Sequence, residues 1–169
     1  MILVIVGTDT HAFNRLLRWI DELIEERKIK DKVLAQIGHS TYIPKNYEWK
    51  KFFSYKEMLE LIKKSKFVIS HGGAGSIIDV LSLGKPLIVV PRRKKYNEHI
   101  DDHQVQLAKI LNKKGKVLVA FEKQELEKAI EKIRKKEFKP KIKRPEKIIK
   151  LIENFLNKNF LFLSKIFYI

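Results

Sequence analysis

A chain of 169 residues with 44% hydrophobic and 10% aromatic content is long enough to bury one sizeable core, and is expected to form a single domain. Its lack of cysteine excludes a disulfide framework, a thiolate nucleophile and a cysteine zinc site, and fits a reducing compartment. The formal net charge of +16 is uneven, with 16 Lys/Arg against 6 Asp/Glu in residues 109–150 but 18 against 13 in residues 1–108; it favours an anionic partner (nucleic acid, lipid headgroups or a phosphorylated substrate), or serves only as a solvated surface.

The first apolar run, Ile2–Val6, has no basic flank and ends at Gly7. It is too short for a signal peptide or a spanning helix and reads as a buried strand. Phe13–Arg27 follows, placing Phe13, Leu16, Leu17, Ile20, Leu23 and Ile24 at helical spacing. Lys32–Ile37 and Trp49–Phe53 read as strands, Tyr55–Lys64 as a helix with Met58, Leu59 and Ile62 on one face, and Phe67–Ser70 as a strand. A glycine-rich turn then leads into another helix, and Pro86–Val90 returns as a strand. Beyond it come a helix over Asp101–Leu111, a strand over Lys116–Val119 and a helix over Lys123–Arg134. Lys135–Arg144 is basic, carries Pro140 and reads as a surface connection to a last helix over Pro145–Leu156. Alternation of short apolar runs with amphipathic stretches predicts an α/β, Rossmann-like fold: a mainly parallel sheet flanked by helices, its strands buried on both faces. Residues 159–169 form an apolar tail.

The most informative stretch is FVISHGGAGSIIDVLSLGKPLIVVP, Phe67 to Pro91, where a strand runs into Gly72, Gly73 and Gly75 and then into a helix. Glycines there remove Cβ atoms that would block a ligand, and the unpaired N–H groups of a helix start favour phosphate oxygens. Ser76 adds a hydroxyl in the first turn, and His71 stands at the strand end. The same glycines serve equally for a tight turn with no ligand. Asp79, one turn beyond Ser76, is placed either to accept both hydroxyls of a ribose or to lie in solvent. The pattern is neither a dinucleotide GxGxxG after the first strand nor a P-loop.

ISHGGAGSIIDVLSLGKPLIVVP followed by NEHIDDHQVQLAKIL resembles the glycosyltransferase family 28 C-terminal domain, the donor-binding half of GT-B enzymes. VGTDTHAFNRLLRWID is similar to the small stand-alone members of that group, which include subunits of exopolysaccharide transferases and of the dolichol-linked UDP-GlcNAc transferase. The resemblance spans roughly residues 1–135. It implies a nucleotide-sugar-binding domain, taken as residues 1–158, with His71, Gly72, Gly73, Gly75 and Ser76 at the donor diphosphate and Asp79 at the ribose. It also implies that Asp102, His103 and Gln104 read the donor sugar, with Gly7 and Thr8 as secondary candidates on the same sheet edge. The partners implied are a UDP-sugar, a membrane-anchored subunit carrying the other half of the site, and a lipid-linked acceptor. The place implied is the inner face of the cell membrane, reached through the partner. No metal or other cofactor is expected, since the family neutralises the diphosphate without one and no D-x-D motif occurs.

Other readings compete. His99 and His103, four apart and flanking two aspartates, raise a metal site that lacks a third histidine nearby. Arg92, Arg93, Lys94 and Lys95 either meet phosphates or form a solvated run. No paired-carboxylate or serine-histidine-acid constellation is legible, and the resemblance implies that the base usually comes from the other half of the enzyme; within the chain the catalytic candidates are His71, at the diphosphate, and His11, in the loop after the first strand, which reads equally as an ordinary loop histidine. The aromatic-rich tail is suited to a partner, a membrane interface or the domain's own core. Charge alone suggests nucleic-acid binding, but no recognised module supports it; a complete enzyme acting alone needs an acceptor site for which the chain looks short.

Overall fold

The computed structural model describes residues 1–140 and 149–158. Six strands, β1 (Ile2–Ile5), β2 (Val33–Gln36), β3 (Glu48–Lys50), β4 (Phe67–Ser70), β5 (Leu87–Val89) and β6 (Leu118–Val119), form one sheet in the order β3-β2-β1-β4-β5-β6. Every pairing in it is parallel. The connections carry α1 (Asn14–Glu25), α2 (Tyr55–Lys64), α3 (Ala74–Ser82), α4 (His103–Lys113) and α5 (Lys123–Arg134), with a 3-10 turn at Lys94–Tyr96, and residues 149–158 are helical again. Within the described residues this is the expected α/β, Rossmann-like architecture. The start of the last predicted helix and the whole apolar tail lie outside them.

Alternation along β1 sorts the core into two layers. Ile2, Val4 and Val6 face one side with Leu16, Leu17, Ile20 and Leu23 of α1 and Leu126 and Ile130 of α5. Leu3 and Ile5 face the other, with Ile62 of α2, Ile77, Val80 and Leu81 of α3, Leu107 and Leu111 of α4, and Ile152 from the 149–158 helix. A strand covered on both faces has no use for polar residues, which is why ILVI is unbroken.

Both-face burial fails for one strand. β3 occupies the sheet edge with all three residues exposed, and starts at Glu48 rather than at Trp49. Its partner β2 lies between it and the covered centre, so Trp49 remains 38% exposed. Other boundaries move by one to two residues: α4 starts at His103, and Phe13 is the N-cap of α1 rather than its first residue.

The chain builds β1, β2 and β3 outward in one direction and returns to place β4 on the other side of β1. The connections therefore diverge at the carboxyl ends of β1 and β4, which opens a crevice there. Arg92 closes the floor of this edge. It is fully buried, and donates from Nε and Nη2 to the Val6 carbonyl at 3.3 and 2.9 Å, and from Nη1 to the His11 and Glu98 carbonyls at 2.6 and 2.8 Å. Its guanidinium also lies 5.0 Å from the Phe13 ring centroid. Neither a ligand-facing charge nor a solvated run describes this residue. A buried guanidinium must satisfy its donors locally, and these carbonyls do so. Beside it Arg15 forks onto Glu98, with both N–O distances 2.8 Å. Removing Arg92 strands the three carbonyls; an Arg92→Leu variant is expected to lose roughly 3 kcal/mol of stability, read as a lower urea midpoint at unchanged slope, and equal midpoints would refute this role.

Candidate functional site

A cavity of about 420 Å³ occupies the crevice, walled by Ile5, Gly7, Thr8 and Gln36 from the β1 and β2 ends, Phe53, Tyr55 and Met58 from the start of α2, and His71, Gly73, Gly75, Ser76 and Asp79 from the β4–α3 turn. Of the residues singled out in the sequence, it brings together Gly7, Thr8, His71, Gly73, Gly75, Ser76 and Asp79. A second concavity, about 500 Å³, lies at the opposite edge of the sheet beside Phe67 and Pro86. Three of its charges pair with one another, Asp31 meeting Lys66 at 2.6 Å and Arg134 at 2.8 Å, and none of the sequence candidates lines it.

Two helix starts face the crevice, and they differ. At α2, Ser54 accepts from the Glu57 N–H while Glu57 accepts from the Ser54 N–H, a closed capping box. At α3 the N-cap is Gly73, which has no side chain to close the turn. The helix ladder begins with Ile77 N–H donating to the Gly73 carbonyl at 3.0 Å, so the N–H groups of Ala74, Gly75 and Ser76 precede it. Those orphan donors, together with the positive end of the helix dipole, suit an anion.

The glycines divide by task. A Cβ on Gly7 would stand 2.6 Å, and one on Gly73 2.4 Å, from His71 Nε2, so these two clear space for the imidazole rather than for a ligand. Gly72 has φ +95° and would press on Val89. Only at Gly75 among the four does an added Cβ meet nothing within 4 Å, so its surface belongs to the cavity.

His71 is buried, 7% exposed, between those glycines. Its Nδ1 lies 3.3 Å from the Ile5 carbonyl and 3.4 Å from Ser70 Oγ. A proton on Nδ1 donates to the carbonyl; a Ser70 hydroxyl donating to Nδ1 places the ring proton on Nε2 instead. Burial, reinforced by the Arg92 charge, pushes the imidazole down to about 4 despite the Ile5 carbonyl. His71 is therefore neutral near pH 7 and acts through a hydrogen bond, not a charge. Asp79 Oδ1 accepts from the Tyr55 hydroxyl at 3.2 Å, which closes the far wall.

Gly72, Asp102, His103 and Gln104 are not among the cavity walls. Asp102 Oδ1 accepts the Lys94 N–H at 3.0 Å, Gln104 Oε1 the Arg92 N–H at 3.3 Å, and His103 Nδ1 stands 3.1 Å from Asp101 Oδ2. The first two side chains tie the β5–α4 loop to its own backbone, and the third meets a carboxylate of the same loop. His99 likewise turns to Asp101, Nδ1 to Oδ1 at 3.1 Å, and no group of three or more His, Asp or Glu among the described residues is arranged to hold a metal ion. Arg93 pairs with Glu122 at 3.2 Å, while Lys94 and Lys95 are exposed. Sequence reading missed Gln36, Phe53, Tyr55 and Met58: each looks like an ordinary strand or helix residue, and only the pairing of β2 beside β1, for Gln36, and the approach of the α2 start to α3, for the other three, puts them at the cavity.

The glycosyltransferase family 28 C-terminal domain model matches residues 1–157. The chain is 36% identical over 121 residues to the human (Homo sapiens) protein named UDP-N-acetylglucosamine transferase subunit ALG13, an alignment covering 66% of this chain and 10% of that protein. It is 34% identical over 136 residues, 76% of this chain and 36% of the relative, to the Clostridium tetani UDP-N-acetylglucosamine--N-acetylmuramyl-(pentapeptide) pyrophosphoryl-undecaprenol N-acetylglucosamine transferase. The chain thus spans far less than the length of these relatives. In fold it is similar to the solution structure of ALG13, with TM-score 0.62 at 22% identity, covering 90% of this chain and 94% of that one.

Because His71 is held neutral, its contribution to stability has a definite pH sign. Its folded value of about 4 lies below the ordinary 6.5, so the unfolded chain binds more protons between these limits. The contribution, on the order of 3 kcal/mol at 1.36 kcal/mol per unit, is present above pH 6.5 and lost as pH falls towards 4. Urea midpoints between pH 7 and 4 are expected to fall more steeply for the wild type than for His71→Gln; parallel slopes would contradict a buried neutral imidazole.

Proposed function

Since the chain belongs to the glycosyltransferase family 28 C-terminal domain family, we propose that it is the donor-binding catalytic subunit of a UDP-sugar glycosyltransferase in glycan biosynthesis, with N-acetylglucosamine as the sugar. The observation that carries this reading is the coincidence, at one topological switch point, of an uncapped helix start, a glycine open to the cavity and a neutral imidazole, with a carboxylate one turn further on. The first three suit a diphosphate and the fourth a ribose.

In this reading the N–H groups of Ala74, Gly75 and Ser76, the Ser76 hydroxyl and His71 receive the diphosphate, and the dipole of α3 stabilises the charge that builds as the diphosphate departs. Asp79 accepts from the ribose hydroxyls in place of Tyr55. Thr8 lies across the crevice, at the β1 end. Asp102, His103 and Gln104 stay candidates for the sugar only if the β5–α4 loop opens when donor binds, since their present partners occupy them.

The names of the relatives support the remainder. The human one is a subunit and the clostridial one acts on a pyrophosphoryl-undecaprenol acceptor. We therefore assign this chain a membrane-anchored partner that binds a polyprenyl-linked acceptor, and a place at the cytoplasmic face of the membrane through that partner. No helix among the described residues is long and apolar enough to cross a membrane.

Calorimetric titration with UDP, UDP-GlcNAc, UDP-galactose and UDP-glucuronate tests the site. Asp79→Ala is expected to weaken UDP roughly tenfold, equivalent to about 1.4 kcal/mol. A His71→Ala, Asp79→Ala double variant that binds UDP as tightly as wild type would sink the assignment. Gly75→Ala separates site from scaffold: alanine is the better helix former by up to about 1 kcal/mol, so thermal stability should hold or rise, while a methyl in the cavity should cost roughly fivefold in UDP affinity.

A further inference from the structure

Beside the diphosphate seat, the loop after β1 carries a pair of ionisable side chains that donor binding does not use. Asp9 Oδ1 stands 2.6 Å from His11 Nδ1 and also accepts the His11 backbone N–H at 2.8 Å. A carboxylate can only accept, so the ring proton sits on Nδ1 and the lone pair on Nε2 is left open. The His11 backbone is fixed as well, its carbonyl taking the Arg92 Nη1 proton at 2.6 Å. The ring is 28% exposed, so its open nitrogen is reachable, and Asp9 Oδ2 stands 3.8 Å from His99 Nε2.

The groups facing the pair come from several elements: Arg92 from the β5 end, His99 with its ring centroid 6.5 Å from that of His11, Asp101 and His103 beyond it, and His71 from the β4 end. Burial alone would raise the Asp9 carboxyl, but the hydrogen bonds from His11 and the Arg92 charge hold it below the usual range, so it stays a carboxylate. Neither residue of the pair is a wall of the cavity, but Thr8, which is, directly precedes Asp9, and Arg92 ties the Val6 and His11 carbonyls together, so the pair stands at the same sheet edge as the seat.

We propose that His11 is the general base of the transfer and Asp9 its positioning residue, so that this chain carries the proton acceptor as well as the donor site. This rests on the nucleotide-sugar reading above. The acceptor hydroxyl oxygen forms a bond to C1 of the donor sugar while the C1–O bond to the diphosphate breaks. That electron pair leaves with the diphosphate onto the α3 start, and the hydroxyl proton passes to His11 Nε2 and then to water. One glycoside, one UDP and one proton result.

The test measures UDP release by the full chain mixed with membranes of its own organism, which contribute acceptor and partner, from a mixture of UDP-GlcNAc, UDP-galactose, UDP-glucose and UDP-glucuronate. UDP affinity is measured separately on the chain. His11→Gln should lose roughly 100-fold or more in turnover, the lower end for removal of a general base, with UDP affinity within twofold of wild type and the acidic limb of the pH–rate profile gone. Added imidazole should restore part of the turnover of His11→Ala, and Asp9→Asn should lower kcat with little change in KM. His11→Gln turning over within threefold of wild type would overturn the base assignment and leave donor binding standing. A wild type that binds UDP but releases none from any donor would overturn both transfer and base, and one that does not bind UDP would overturn the underlying reading.

Discussion

The fully buried guanidinium of Arg92 is the constraint on which the carboxyl edge of this protein depends. A cation without solvent needs acceptors at fixed positions, and the structure provides three carbonyls from three segments: the end of β1, the loop before α1 and the loop before α4. Segments far apart in the chain are thereby held to one point. Phe13 packs under the same group and Arg15 forks onto Glu98, which adds two further ties at this edge. The same charge lowers the proton affinity of both Asp9 and His71, giving one structural residue an electrostatic reach into the functional edge.

Around the cavity, polarity is graded. At the α3 start every group that faces inward is neutral: backbone N–H, the Ser76 hydroxyl, the uncharged His71 ring and, across the crevice, Thr8 and Gln36. One turn along, Asp79 introduces a carboxylate shared with the Tyr55 hydroxyl. Under the proposed function, an anion is received by oriented dipoles at one end and repelled from the other, which would give a nucleotide a direction as well as a place. Dipoles fixed by the fold need not reorganise as charge develops, which is how the proposed seat would stabilise a leaving diphosphate.

Much of the architecture was legible in the chain itself because it depends on neighbours in sequence. Unbroken apolar runs at Ile2–Val6 and Phe67–Ile69 report burial on both faces, the spacing in α1 reports its inward stripe, and glycines after a strand report a close approach of backbone. His71, Ser76 and Asp79 were recognisable for the same reason: strand end, first turn and second turn are positions that a local pattern fixes.

Contacts between distant segments could not be read in that way. The meaning of Gly7 lies 64 residues away in the imidazole it makes room for, Arg92 looks like the first of a solvated basic run until its carbonyl partners are assembled, and Tyr55 is an ordinary helix residue until α2 meets α3. DDHQ, legible as a motif, has its side chains turned onto its own loop. Sequence by itself determined which segments are strands and helices and where the glycine-rich turn falls, since periodicity and glycine placement are local properties. Tertiary structure alone decided which glycine faces the cavity, which arginine is buried and which histidine stands against a carboxylate, because each of these is set by a partner that only the strand order brings near.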